Sequence, residues 1–126
     1  MSRQRFDQLK AALRFDDPAR RDRDNKLAPI AYVVEQFNSN LLQIYKPTAH
    51  LTIDEMLIEF HGRVSFRQYI PTKPGKFGVK VFWITESESS FPLRCIVYTG
   101  RQMLSEEEIV ENGTHVAALV MKLMRP

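Results

Sequence analysis

Residues 51–100 constrain the fold of this chain most, because three strand-like runs follow one another there. The run Leu51–Ile58 is mostly apolar. Phe77–Thr85 and Leu93–Thr99 are rich in the β-branched and aromatic residues that strands favour. The short polar stretch Glu86–Ser90 joins the last two runs and predicts an antiparallel hairpin. We therefore expect about three antiparallel strands.

The first of these runs contains an acidic pair, Asp54 and Glu55. An unpaired charge within an apolar strand is costly to bury, so the pair needs an explanation, and a divalent metal ion is one. Because successive side chains of a strand point to opposite faces, the two carboxylates should not share a side. The residues alone leave two interpretations open for Asp54, a divalent-metal ligand and an ordinary polar residue at a strand edge.

Helical periodicity dominates the chain outside this region. Apolar residues recur at helical spacing from Ile30 to Tyr45, and more weakly from Ser2 to Leu13. Residues 114–125 predict a further helix, apolar on most of its faces. Residues 16–26 are charged and predict a mobile, solvated linker. Two helices, about three strands and one further helix make the predicted fold class α+β.

The charge distribution places a basic strip directly after the acidic pair. Residues 61–85 contain five basic residues and no acidic one: Arg63, Arg67, Lys73, Lys76 and Lys80. An acidic spot beside such a strip suits a metal ion next to a phosphate backbone. A solvated surface is the alternative interpretation, and charge alone favours it.

Several classes of site and partner are excluded. Cys95 is the only cysteine, so the chain cannot form an internal disulfide. The three histidines are scattered and do not make a zinc site. The chain lacks the apolar run of roughly 18 residues that a membrane span needs, so we expect no membrane partner.

Four sequence features together resemble the piggyBac family of DDE transposases, which includes domesticated piggyBac-derived proteins. They are Ile53-Asp54-Glu55, Gly62-Arg63, the ungapped stretch Ser65–Val81 and the tetrapeptide Val97–Gly100. Residues 1–15 resemble the helix that precedes the family's catalytic domain, and residues 113–124 resemble the helix after its third strand. The resemblance therefore extends over essentially the whole chain, but covers a middle portion of such a protein.

This resemblance implies a fold and a chemistry. Residues 49–126 would form the first part of a ribonuclease H-like domain, and residues 1–48 the helical segment upstream of it. Asp54 would be the first of the family's metal-binding catalytic aspartates, acting with Mg²⁺ or Mn²⁺. The five basic residues of the strip would contact DNA, and the location would be the nucleus.

The family's later aspartates have no counterpart before Pro126. We therefore predict a transposase fragment that is catalytically inert alone and binds its metal weakly. Two alternatives stay open: a domesticated DNA- or protein-binding module without catalysis, and a non-functional partial product. A half-built sheet would also leave an open edge and apolar helix faces, through which copies could self-associate.

Overall fold

The computed structural model describes residues 1–100, 103–112 and 115–124. In these residues it contains four helices and one four-stranded sheet. The helices are α1 (Arg3–Ala12), α2 (Ala31–Ile44), α3 (Glu106–Asn112) and α4 (His115–Met124), and the strands are β1 (Leu51–Glu59), β2 (Gln68–Tyr69), β3 (Phe77–Glu86) and β4 (Pro92–Val97). Among the described helices, none has the length and apolar character that crossing a membrane requires.

Strand β3 is the centre of the sheet. Strand β1 pairs antiparallel with it along its whole length, with Asp54 opposite Trp83. Strand β4 pairs antiparallel along the other side, with Trp83 opposite Cys95 and a register shift at Ile84/Thr85. The short β2 pairs with the first two residues of β3. The α+β class, the three main strands and the antiparallel hairpin are confirmed, whereas the two-residue β2 was not predicted.

The two faces of the sheet pack against different helices. Asp54, Trp83 and Cys95 form one row across the face that α2 covers, where the Phe37 and Trp83 rings meet edge to face with centroids 6.2 Å apart. The buried cluster beneath α2 comprises Phe66, Val81, Cys95 and Val97. The opposite face carries the row Glu55, Phe82 and Ile96 and lies towards α4.

The apolar stripe of α2 is used only in part. Val34 packs against the core cluster and Leu41 is buried, as an amphipathic helix requires. Tyr32 and Ile44 stay exposed. Helix α1 has no buried residue, although Ser2 caps it by accepting a hydrogen bond from the Arg5 N–H at 3.2 Å. Both helices end at or before the predicted positions.

The predicted linker at residues 16–26 makes several side-chain contacts. Arg21 donates two hydrogen bonds to the Asp16 carboxylate, at 2.6 and 2.9 Å. This contact lowers the pKa of Asp16 and raises the pKa of Arg21. Lys26 Nζ then donates to the Thr99 carbonyl at 3.0 Å. Residues 17–26 are all exposed, as a solvated linker predicts, while Lys26 contacts the end of the hairpin. The mobility of the segment stays a prediction.

Helix α3 begins with a reciprocal cap that the sequence analysis overlooked. The Glu108 N–H donates to Ser105 Oγ at 3.1 Å, and the Ser105 N–H donates to the Glu108 carboxylate at 2.9 Å. The spacing Ser-x-x-Glu is a known helix-start signal. Helix α4 buries Ala118 and Leu123. The ends of the predicted helix at residues 114 and 125, and the side chain of residue 116, lie outside the described residues.

A buried carboxylate connects the segment before β1 to the hairpin. Glu86 is 1% exposed. It accepts hydrogen bonds from Ser89 N–H, Ser89 Oγ and Thr48 Oγ1, each at 2.6 Å. These bonds, from Ser89 first and then Thr48, lower the pKa of Glu86 to about 2. The start of β1 and the β3–β4 turn are thereby held together.

Candidate metal and nucleic-acid site

The site of interest lies on β1, the outer strand of the described sheet. β1 pairs with β3 on one side and has no strand on the other within the described residues. The Tyr98 N–H donates to the Lys80 carbonyl at 2.8 Å, so the backbone polar groups of Lys80 face β4. In an antiparallel ladder the groups of its partner Leu57 must then face away from β3. Glu55, two residues away, shares that outward direction.

Asp54 occupies this outer edge. Its side chain is exposed, and its Oδ1 accepts a hydrogen bond of 2.7 Å from the Glu55 N–H. That N–H would otherwise remain unpaired at the edge of the sheet. The described contacts of Asp54 include no ion pair, so the carboxylate stays accessible while its orientation is defined by the backbone.

Glu55 points to the opposite face, as the alternation of a strand predicts. Its carboxylate forms an ion pair with Lys80. The Lys80 ammonium also lies over the rings of Phe82 and Tyr98, 4.8 and 5.8 Å from their centroids. The pair is only partly exposed, so it is screened less than a surface pair. The Lys80 side chain therefore lies on the opposite face of the sheet from the Asp54 side chain, and its ammonium is already paired with Glu55.

Lys73 approaches the same strand from the loop between β2 and β3. Its Nζ donates to the Glu55 carbonyl at 3.4 Å. Two of the five residues in the predicted basic strip, Lys73 and Lys80, thus converge on Glu55. The structure brings them together at one acidic residue rather than along a continuous strip.

The other three basic residues, Arg63, Arg67 and Lys76, are exposed. The Arg67 guanidinium lies 5.5 Å from the centroid of the Phe77 ring, which the Tyr69 ring also contacts at 4.7 Å. Tyr69 and Phe77 remain 57% and 45% exposed. We call Arg67, Tyr69 and Phe77 the aromatic–arginine patch. It presents one cation and two aromatic rings to solvent.

A cavity of about 700 Å³ lies between the sheet and α4. Its walls are largely apolar and include Phe82, Leu104 and Leu119. Its charged lining residues are Asp54, Glu55 and Lys80. The cavity therefore approaches the edge where Asp54 lies, but two of its three charges neutralise each other.

The described residues do not by themselves fit a tightly bound divalent cation. Among them, no three His, Cys, Asp or Glu side chains cluster as metal ligands would. Asp54 supplies one carboxylate, and Glu55 is committed to Lys80 on the other face. Mg²⁺ keeps its waters unless several oxygen ligands replace them. Asp54 is thus a single ligand group rather than a complete metal site.

The opposite edge of the sheet is covered by a side chain that the sequence analysis missed. Asn38 of α2 donates to the Cys95 carbonyl at 2.9 Å and accepts from the Cys95 N–H at 2.8 Å. The sequence signal for this contact was the polar amide of Asn38 within the apolar stripe of α2. Cys95 itself is buried, and this burial raises the pKa of its thiol. A buried thiol with a raised pKa forms less of the reactive thiolate.

The comparisons with known proteins agree with this architecture. The family model described as Transposase IS4 matches residues 1–126. Human piggyBac transposable element-derived protein 3 is 28% identical over 83 residues, which are 66% of this chain and 14% of that protein. The human chimeric ERCC6-PGBD3 protein matches equally over the same length, which is 8% of its sequence.

A solved structure extends the match over the whole fold. It is the cryo-EM structure of a piggyBac transposase synaptic complex with hairpin DNA, 35% identical with a TM-score of 0.84. The match covers 98% of this chain and 25% of that one, so this chain spans a minor part of every relative named here. The sheet and its helices therefore correspond to part of a ribonuclease H-like fold. By its sequence and its structure, the chain belongs to the IS4 transposase family and, within it, to the piggyBac transposases.

Proposed function

We propose that this chain supplies the first acidic residue and part of the DNA-contacting surface of a piggyBac-type transposase, whose family carries out cut-and-paste strand transfer. The observation that carries the proposal is the position of Asp54. It lies mid-strand on β1 of a ribonuclease H-like sheet, with an accessible carboxylate oriented by the Glu55 N–H. The division into a helical segment, 1–48, and a catalytic segment, 49–126, belongs to the same proposal.

The chemistry available to the described residues is limited. Family members use two divalent cations to activate a nucleophile and to stabilise the leaving oxygen. Asp54 would contribute one ligand group, which cannot hold such a pair. The described residues alone should therefore be inert in strand transfer. Mg²⁺ or Mn²⁺ should raise the melting temperature little, and Asp54→Asn should leave that response unchanged.

The DNA-contacting surface is best assigned to the exposed cations. Arg67 can bind a phosphate while the neighbouring Tyr69 and Phe77 rings pack against sugar or base. Arg63 and Lys76 are exposed on the same connection between β1 and β3. Lys73 and Lys80 already have partners at Glu55 and contribute charge rather than direct contact.

Fluorescence anisotropy with a labelled DNA hairpin tests this assignment. The affinity should fall with salt, with a logarithmic slope of about 0.9 per phosphate contacted. The triple variant Arg63→Gln, Arg67→Gln, Lys76→Gln should lose most of that slope. Arg3→Gln, Arg5→Gln, Lys10→Gln on α1 is the control with the same loss of charge. Equal losses in the two variants would reduce the effect to net charge and refute a local DNA site.

The domesticated binding module is the second candidate function. The occupied Glu55–Lys80 pair and the lone Asp54 carboxylate favour it, because both are compatible with a fold kept without catalysis. A strand-nicking assay with Mn²⁺ on the same DNA tests the inertness that both candidates share, and nicking that Asp54→Asn abolishes would contradict both. The coding sequence that follows Pro126 separates the two candidates, because further catalytic aspartates in the same reading frame would support the transposase. A cooperative thermal transition would exclude the third alternative, a partial product that does not fold.

Self-association and location are proposed on separate grounds. The outer edge of β1 and the exposed residues of α2 could pair with a second copy, and sedimentation equilibrium would detect the dimer. The charged side chains of Asp54 and Lys73 bind the backbone groups of Glu55 at this edge, so we expect weak association. The nucleus follows from the family's DNA substrate and is tested by imaging a fluorescent fusion.

A further inference from the structure

The loop between β2 and β3 holds Lys73 at a defined point. The Lys73 N–H donates to the Ile70 carbonyl at 3.1 Å, and the Lys76 N–H donates to the Lys73 carbonyl at 3.0 Å. Lys73 is thus shared by two successive turns. Pro71 and Pro74 restrict the backbone on either side of it. The side chain therefore starts from a stiff corner rather than from a flexible loop.

This corner lies against β1. A Cβ placed on Gly75 would lie 3.2 Å from the Cβ of Glu59, so the loop packs closely on the end of the strand. From there the half-buried Lys73 reaches back to the Glu55 carbonyl. The N–H of the same residue, Glu55, is bound by Asp54 Oδ1. Both outward backbone groups of one residue are therefore held by charged side chains of opposite sign.

We infer that Lys73 is a positioning residue for the Asp54 carboxylate. By binding the Glu55 carbonyl it restrains the rotation of the strand at this residue, and with it the direction of the N–H that orients Asp54. The bearing of this role on strand transfer rests on the proposed function, but the contact itself does not.

Amide hydrogen exchange measured by NMR on the full 126-residue chain tests the inference. The readout is the exchange rate of the Glu55 amide divided by that of the Cys95 amide, which is bound at the other edge and serves as the internal reference. Lys73→Met should raise this ratio by about twofold, the effect of losing one long, partly exposed hydrogen bond. Lys73→Arg should restore it. Lys76→Met removes the same charge from the same loop and should leave it unchanged.

Two outcomes would overturn the inference: an equal change in the Lys76→Met variant, or no change with Lys73→Met. Should Lys73→Met fail to fold, the ammonium protons of the wild-type protein decide the matter. Those of Lys73 must exchange with water more slowly than those of Lys76, and equal rates would refute the contact. DNA binding is measured separately, with variants of Arg63, Arg67 and Lys76. A failure of the proposed function would therefore leave the hydrogen-exchange result for Lys73 unaffected, and a failure of the Lys73 inference would leave the DNA-binding result unaffected.

Discussion

The two edges of the sheet satisfy their backbone groups in different ways. At the β4 edge, one neutral amide from α2, Asn38, binds both the N–H and the carbonyl of Cys95 in a partly buried position. At the β1 edge, Asp54 and Lys73 divide the same task at Glu55 in exposed or partly buried positions. At the β4 edge the bonding group belongs to a helix that packs on the sheet. At the β1 edge the bonding groups are charged side chains that can also bind other partners. Asp54, the residue that we propose as a metal ligand, lies at the β1 edge.

The largest test of this comparison concerns how β1 is attached. Gly78 of β3 approaches the Ile58 backbone so closely that an added Cβ would collide with the Ile58 carbonyl oxygen. Gly78→Ala should therefore separate the strands and cost more than about 3 kcal/mol of unfolding free energy. Urea denaturation measures the loss. Gly75→Ala, whose Cβ would meet only the Glu59 side chain, is the control, and an equal cost there would contradict the argument.

The second test removes the closure of the β4 edge. Asn38→Ala should cost about 1–3 kcal/mol, because the Cys95 N–H and carbonyl would remain unpaired in a partly buried position. Chemical denaturation again measures the free energy of unfolding. Asn40→Ala, at an exposed position of the same helix, should change it by less than about 0.5 kcal/mol. Similar values for the two variants would mean that the amide does not close this edge.

The third test uses pH at the buried carboxylate that links β1 to the hairpin. The pKa of Glu86 is lowered to about 2 in the folded chain by its bonds from Ser89 and Thr48, against an ordinary 4.5. Folding is therefore favoured above about pH 4.5, and this contribution disappears as the pH falls towards 2. Glu86→Gln should make the melting temperature depend less on pH across that range. Glu88→Gln, an exposed neighbour, should keep the wild-type slope.

The smallest expected effect concerns the β1 edge. Lys73→Met should lower the unfolding free energy by less than about 0.5 kcal/mol, because a partly exposed donor at an open edge can be replaced by water. Asn38→Ala should exceed it severalfold in the same denaturation series. A larger loss of unfolding free energy in Lys73→Met than in Asn38→Ala would contradict this comparison of the two edges.

Much of this architecture could be predicted from local pattern. The three main strands follow from β-branched and aromatic runs, and α2 from its apolar spacing, since both signals lie within one segment. Helix α3 was missed although its Ser105-x-x-Glu108 cap is legible, because its residues are polar and offer no apolar stripe. The two-residue β2 carries too little pattern of its own.

The site was less predictable, because its contacts join distant segments. Asp54 could be selected as an acid within an apolar strand. That Lys73 and Lys80 meet at Glu55 depends on how a loop and a neighbouring strand fold onto β1, which no spacing rule contains. The basic strip is continuous in the sequence but divides in space. Two of its lysines contact Glu55, and its other three cations are exposed.

The Glu86 cluster has a consequence for modifying the protein. Because Ser89 and Thr48 meet at one carboxylate, the hairpin tip and the entry to β1 behave as a single unit. An epitope or reporter inserted at residues 87–90 would withdraw Ser89 and loosen the entry to the strand that carries Asp54. The surface turn around Asp17 and Arg20, which has no such link to β1 in the described contacts, is the better place for a label.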